Sequence, residues 1–452
     1  MKVRALAAAG VGAFLGIAGS ATLQAQEPLS VERVMAHVGV LAHDSLQGRA
    51  TPSRGLDAAV AYTAEEFRRA GLRPLGAAGF TVTWPLVSRR RTAEGIRLTA
   101  GRDGGGELTY GREFAVMAAG VPEVSGRLVR VADLRDTAAL RGRIPLLRLP
   151  PGDWQGPAHT AGRLARRAGA AAVILVLDSS QALAPVAEGG LRMDHAATAV
   201  PTILLTPAAA RRLEGAADVT LRIPEQVDTT LAPSVLGLLP GRDAGVAREY
   251  VVVTAHLDHL GIGPPDERGD SIYNGADDNA SGAAALIEMA HALGRLPAGT
   301  RRSVVFFGTT GEERCLCGSE YFTRRPPISL DDIVANVNLD GIGRSWQQDT
   351  LSAVGSTYSS LGRTVREVAA RHPELRLTVV DDQWPERHYF MTSDQIWFAR
   401  RGVPSLFLSS TGPDAHYHRP SDEAGTLEPD LTARIARLAT WTVRAVADAH
   451  HR

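Results

Sequence analysis

Five short stretches of the chain hold residue types that bind divalent cations or move protons: His256 and Asp258, the adjacent pair Asp277 and Asp278, the pair Glu312 and Glu313, Asp340, and the run His416, Tyr417, His418. The pair Asp277 and Asp278 lies in GADDNASG (275–282), between a glycine and the small residues that open an apolar segment. Carboxylates this close repel each other in a folding chain unless positive charge lies beside them. Taken singly, each stretch has an ordinary reading: a histidine in a loop, a solvated Glu-Glu pair, or Asp278 and Ser281 capping a helix that starts at Gly282. Their recurrence after successive apolar segments argues for one shared site. His and carboxylate donors with no obligatory thiolate suit zinc, and manganese or cobalt less well. Two imidazoles and three carboxylates suffice for two ions bridged by one carboxylate, roughly 3.5–4 Å apart. One of Asp277 and Asp278 then bridges, while the other caps or supports.

The elements around these residues predict how they are brought together. EYVVVTAH, RRSVVFFGTT, IVANVNLD and PSLFLS are apolar runs that alternate with helical patterns in GAAALIEMAHALGRL, TVREVAARH and DLTARIARLATWTVRAVADAH. Strands apolar on both faces and alternating with helices indicate a buried, mostly parallel sheet. In such sheets functional groups gather beyond the carboxyl ends of the strands. His256, Glu312, Glu313, Asp340 and His418 all follow strand ends. Upstream, residues 31–76 read as two helices broken by a Gly/Pro loop near 48–55. From about 100 to 230 the pattern changes to strands in SGRLVRVA and GRIPLLRL and strand–helix alternation in LARRAGAAAVILVLD and VPTILLTPAAARRL, with no clustered acids. That stretch is expected to be a separate module.

In this order and on these strand ends, His256-Leu257-Asp258, GADDNASG, GEE, NLDGIG and YHRPSD resemble the di-zinc aminopeptidases of peptidase family M28. The resemblance runs over most of residues 30–450. It implies a three-layer α/β fold: a mostly parallel mixed sheet flanked by helices, with an inserted, smaller, β-rich α/β unit similar to a protease-associated domain. The expected boundaries are 1–25 for a signal peptide, 26–105 and 232–452 for the peptidase domain, and 106–231 for the insertion. The resemblance further implies two Zn2+ per chain, with His256 and Asp340 on one, Glu313 and His418 on the other, and Asp277 bridging. It places Glu312 as general base, Asp258 as the acid accepting from the second nitrogen of His256, and Tyr417 as a donor to the developing oxyanion. The implied activity is removal of N-terminal residues from peptides. Carboxypeptidase or dipeptidase action is the nearest alternative, for which Arg344, Arg387 and Arg419 are the nearby cations; a single-zinc glutaminyl cyclase and a non-catalytic binding protein stand further off.

The rest of the composition narrows the class. Forty-nine Lys+Arg against 49 Asp+Glu leave no net charge, which argues against nucleic acid as partner. MKVRALAAAGVGAFLGIAGSATLQAQ has a basic start, a short apolar run and small residues near Ala25, the pattern of an export signal cleaved after Ala25 rather than of a span needing about 20 apolar residues. A periplasmic or extracellular location follows, with no stable membrane insertion once the signal is removed; nothing in the sequence selects an oligomeric state. Cys315 and Cys317 are the only cysteines; a bridge across i and i+2 strains the geometry disulfides prefer, so they read as two thiols. Gln395 stands where similar proteins carry His, and His259, His388 and His416 have no assigned role.

Overall fold

The protein is described here from a computed structural model covering residues 29–76, 79–91, 94–101, 106–118, 121–152, 154–183, 191–192 and 200–450. The expected signal peptide, 1–25, lies outside the described residues. The chain divides into two units, residues 1–82 with 233–452, and residues 83–232.

The first unit is built on helices α1 (Val31–Leu41) and α2 (Arg54–Arg69), on the part of β1 (Glu225–Leu239) from residue 233 onward, and on β2 (Tyr250–His256), α3 (Gly282–Gly294), β3 (Ser303–Thr309), β4 (Ile333–Leu339), β5 (Thr350–Val354), α4 (Leu361–Arg371), β6 (Thr378–Val380), β7 (Ser405–Ser409) and α5 (Pro429–Asp448). In the sheet they lie in the order β6-β5-β7-β4-β2-β3-β1. Strands β3, β2, β4 and β7 are mutually parallel, whereas β1 runs antiparallel to β3 and β5 antiparallel to β7 but parallel to β6. The sheet is therefore mixed but parallel through its centre, as expected. Every residue of β3, β5 and β7 is buried, so these strands face apolar layers on both sides and need no alternation. Helix α3 is buried along nearly its whole length. Its alanine-rich turns let it sit close among α1, α5 and the sheet, where Ala283, Ala284, Leu286, Ile287 and Ala290 join Val34, Val38, Ala439 and Val443 in one core.

One ion cluster interrupts that core. Glu288 of α3 accepts from Arg33 Nε at 2.9 Å and Nη2 at 2.7 Å, from His37 Nε2 at 2.9 Å and from the Leu29 N–H at 2.8 Å. Burial alone would raise the Glu288 pKa, but the bonds from His37 and Arg33 outweigh it and bring it down to about 2.

The second unit starts at residue 83 rather than at 106. The reason lies in its sheet: strand Arg97–Gly101 pairs antiparallel with Asp218–Arg222, Leu98 opposite Leu221, and Ile96 and Leu98 belong to that unit's own apolar core with Val219, Leu221 and Ile223. Eight strands make this sheet, parallel from Glu123–Arg130 through Ile144–Arg148 and Val173–Val176 to Thr202–Leu205 and antiparallel toward both edges.

Candidate metal centre

The parallel strands deliver their donors in register. His256, the last residue of β2, lies opposite Thr309 at the end of β3, and Thr254 lies opposite Asn338 of β4. The segments leaving these strands therefore open on one edge, with Glu312 and Glu313 after β3 and Asp340 after β4.

His256 Nδ1 is 3.0 Å from the main-chain carbonyl of Asp258. A carbonyl can only accept, so Nδ1 carries the proton and Nε2 presents its lone pair. That lone pair faces Asp278 Oδ1 at 3.2 Å and Asp340 Oδ1 at 3.4 Å. The expected partner of Nδ1, the Asp258 carboxylate, is 3.9 Å away and does not make this bond. It accepts instead from Thr51 Oγ1 at 2.8 Å and from the Glu312 N–H at 3.3 Å. Asp258 thus fixes His256 through its backbone and supports the Glu312 turn through its side chain. Burial lifts its carboxyl pKa to about 6, with His256 pulling the other way.

The two aspartates of GADDNASG diverge. Both backbone N–H groups, of Asp277 and Asp278, donate to the buried carboxylate of Asp422, at 3.0 and 3.1 Å. The Asp277 side chain then turns away from the histidines. It accepts from the Gly343 N–H at 2.5 Å and Ser281 Oγ at 3.3 Å, is bonded by Thr411 Oγ1, and lies 3.5 Å from Arg344. The Asp278 side chain reaches the donors: Oδ1 meets His256 as above, and Oδ2 lies 3.2 Å from His418 Nε2. Asp278, rather than the expected Asp277, is thus the aspartate that faces both histidines. Neither Asp278 nor Ser281 caps α3: the Gly282 N–H is taken by Asn279 Oδ1 at 2.9 Å, and Ser281 Oγ serves the Asp277 carbonyl and the Ile342 N–H.

Glu313 Oε2 is 3.2 Å from His418 Nε2, and Glu313 Oε1 is 2.5 Å from His259 Nδ1. Asp340 Oδ2 accepts from Ser393 Oγ at 2.6 Å. His416, by contrast, pairs with Ser421 Oγ at 3.0 Å, and among the described residues it does not join the donor group. Tyr417 is more than half exposed, its ring stacked on His418 at 3.8 Å. Gln395 is buried and bonded to Asn338 and to the Phe390 carbonyl, so it orders the strand end rather than facing substrate.

These separations test whether a metal fits. Two ligands on a tetrahedral zinc, with bonds of about 2.0–2.1 Å, stand about 3.3 Å apart. The pairs His256–Asp278, His256–Asp340, His418–Asp278 and His418–Glu313 measure 3.2, 3.4, 3.2 and 3.2 Å. The donors fall into two groups sharing Asp278, and the residues present fit two ions. The charge balance agrees. Burial would lower the His418 pKa, yet the nearby carboxylates of Asp278 and Glu313 push it up to about 10, so these acids call for positive charge beside them.

A cavity of about 550 Å³ opens on the group, with Asp278, Glu312 and Asp340 on one side and Val354, Phe407 and Trp384 on the other. Burial and the charges of Glu313 and Asp340, against the opposing pull of His256, hold the Glu312 carboxyl well above its usual range. Arg344 also borders the cavity but is bound to Asp414 and Asp422. Cys315 and Cys317 form a disulfide, not a thiol pair. Leu316 between them has φ +53°, and this left-handed turn brings the Cα atoms to 4.9 Å, inside the range a disulfide accepts.

The residues left Asp277 and Asp278 open and the resemblance chose Asp277, whereas Asp278 is the one that faces the histidines; Thr51, His259 and Asp422 were given no role. Asp422 carried a signal, since it closes the YHRPSD motif that contains His418; Thr51 carried none, lying some 200 residues from Asp258 in the chain.

Known proteins resemble this chain in sequence and in fold. Residues 234–443 match the profile of Peptidase family M28. Aminopeptidase YwaD of Bacillus subtilis is 24% identical over 319 residues, covering 68% of this chain and 63% of the relative. BOS complex subunit NCLN of Homo sapiens is 26% identical over 242 residues, covering 49% of this chain and 40% of the relative. The chain thus spans less than two thirds of either relative. An aminopeptidase from Aneurinibacillus sp. strain AM-1 superposes with a TM-score of 0.55 at 19% identity, over 93% of this chain and 94% of that one. BSAP, a zinc aminopeptidase from Bacillus subtilis, gives 0.52 at 19% identity over 94% and 97%. At such identity these likenesses speak for the fold. Residues 234–443, the stretch that matches Peptidase family M28, hold all five paired donors.

Proposed function

We propose that this protein is an exported zinc-dependent exopeptidase that removes N-terminal residues from peptides, with two zinc ions held by His256, Asp278, Asp340, Glu313 and His418. The observation that carries the reading is the spacing of 3.2–3.4 Å between each histidine Nε2 and two carboxylate oxygens, with Asp278 common to both sets. Bound zinc would acidify a water and polarise a carbonyl. Glu312, on the cavity wall beside these donors and not itself in a paired contact, takes the proton from the attacking water and later delivers it to the departing amine. Glu313 is not free for this task, because His418 and His259 occupy both of its oxygens. Tyr417, which lines the cavity, donates to the oxyanion on this reading.

An acidic cleft suits a free ammonium, and Arg344 is already committed to carboxylates. These two features favour amino- over carboxy-terminal action; Arg387, which also lines the cavity, is the cation that carboxy-terminal action would require. Export rests on residues 1–25, and the Cys315–Cys317 disulfide suits an oxidising compartment. No helix among the described residues is long and apolar enough to cross a membrane. The inserted unit is read as a protease-associated domain on resemblance. Aminoacyl, N-blocked and C-amidated dipeptides assayed with zinc, with chelator and after zinc readdition test the proposal. Cleavage restricted to free amines and lost with zinc is expected; cleavage of N-blocked substrates that requires a free carboxylate would move the reading to a carboxypeptidase, and full activity without metal would end it.

A further inference from the structure

His259 has no part in the mechanism above, yet it is fully buried beside the second donor group. It follows His256 by three residues, and its ring is pressed against Gly275, where an added Cβ would come within 2.5 Å of His259 Cγ. Nδ1 lies 2.5 Å from Glu313 Oε1 and 3.9 Å from Asp278 Oδ2. The ring stands edge-on to His418, centroids 5.7 Å apart. Its other nitrogen, Nε2, is buried without a hydrogen-bond partner.

Two roles are open to such a residue, metal ligand or hydrogen-bond donor, and the distances choose between them. Two ligands of one tetrahedral zinc stand about 3.3 Å apart; at 2.5 Å, Nδ1 and Glu313 Oε1 are too close to share an ion and are instead at hydrogen-bonding distance. The tautomer follows. With the proton on Nδ1 the carboxylate oxygen accepts, and Nε2 keeps a bare lone pair where nothing can donate to it. With the proton on Nε2, a lone pair would face an anionic oxygen and a buried N–H would be stranded, both unfavourable.

We propose that His259 is a positioning residue that holds Glu313 Oε1 by an Nδ1–H hydrogen bond, so that Oε2 alone is presented beside His418 and Asp278 to the second zinc. The proposal rests on the two-zinc reading above. It gives HLDH, residues 256–259, two separate tasks: His256 presents a lone pair to the first ion, and His259 orients a ligand of the second without touching metal.

Asparagine and glutamine separate the two ring nitrogens, since an Asn amide falls near the place of Nδ1 and a Gln amide near that of Nε2. Zinc affinities of the full chain carrying His259→Asn or His259→Gln are measured by competition with a chromophoric chelator. Zinc-edge X-ray absorption counts histidine ligands, and melting of the metal-free proteins compares their folding. His259→Asn is expected to hold both ions within about threefold of the wild type. His259→Gln is expected to weaken one ion by about 10–100-fold, as loss of an outer partner does, with the other ion, the histidine count and the metal-free melting temperature matching those of His259→Asn. Unchanged affinity in His259→Gln, equal loss in both variants, or a histidine fewer on zinc in either would overturn the assignment of His259 while the two-zinc reading stands. A wild-type chain that holds one zinc or none would remove the two-zinc reading itself, and His259 with it.

Discussion

Replacing each of the adjacent aspartates by asparagine gives opposite outcomes on the two readings of GADDNASG. Asp278 places one oxygen 3.2 Å from His256 Nε2 and the other 3.2 Å from His418 Nε2, so it is one of three side-chain donors in each group, with His256 and Asp340 or with Glu313 and His418. Four-ligand zinc sites bind with an apparent 10–16 kcal/mol, roughly 2.5–4 kcal/mol per ligand. Loss of the shared carboxylate should therefore weaken each ion by about 10²–10³-fold at 1.4 kcal/mol per decade. Asp277 contributes no such contact. Its Oδ1 accepts from Gly343 and Ser281, which an amide oxygen can also do. Burial, with Asp422 adding to it against the pull of Arg344, already raises its pKa to about 7, so the neutral form costs little. Asp277→Asn should leave both affinities within a few-fold. Zinc per chain after dialysis against buffered free zinc, read by mass spectrometry, reports both variants, and circular dichroism verifies that each is folded. Two zincs retained in folded Asp278→Asn, together with zinc lost from Asp277→Asn, would refute the assignment and restore the sequence-based one.

Glu312→Gln should keep zinc content unchanged and lower turnover by about 10²–10⁴-fold, the usual worth of a positioned base; near-normal turnover with zinc bound would reassign the base. Thr51→Val removes the donor to Asp258 Oδ2 and the acceptor of the Gly311 N–H, a loss of about 1–3 kcal/mol in urea unfolding; an unchanged midpoint would show that this buried pair is worth nothing. Glu288 has a folded pKa of about 2 against 4.5 for the free side chain. A carboxyl with a depressed pKa stabilises above its unfolded value and loses that contribution as pH falls, here between about 4.5 and 2. The difference corresponds to about 3 kcal/mol. Glu288→Gln, less stable at neutral pH because Arg33 is left unpaired, should lose that much less on acidification, and parallel acid curves for the two proteins would contradict the assignment.

The central strands and buried helices were legible because burial on both faces leaves unbroken apolar runs in β2, β3, β4 and β7. The strands beyond β7 were less so: β5 and the three-residue β6 bear no pattern that separates them from loop, and they become strands only by pairing with β7 and with each other. The start of the second unit was misplaced for a similar reason, since Arg97–Gly101 acquires its place from a partner 120 residues later. At the site, residue types and order, with the family resemblance they carry, were enough to propose His256, Glu313, Asp340 and His418 as donors. They were not enough to choose between neighbouring aspartates, or to foresee that His256 would bond the Asp258 carbonyl rather than its carboxylate.

By itself the sequence determined the inventory: an apolar strand before each donor, imidazole and carboxylate in a fixed order, and no net charge to spend on a polyanion. Only the tertiary structure decided direction. Asp422, some 145 residues away in the chain, draws the N–H groups of Asp277 and Asp278 to one carboxylate, while Gly343 and Thr411 hold the first side chain back and leave the second facing the histidines. Where a side chain points is set by partners that become neighbours on folding, and composition and spacing carry no record of those distances.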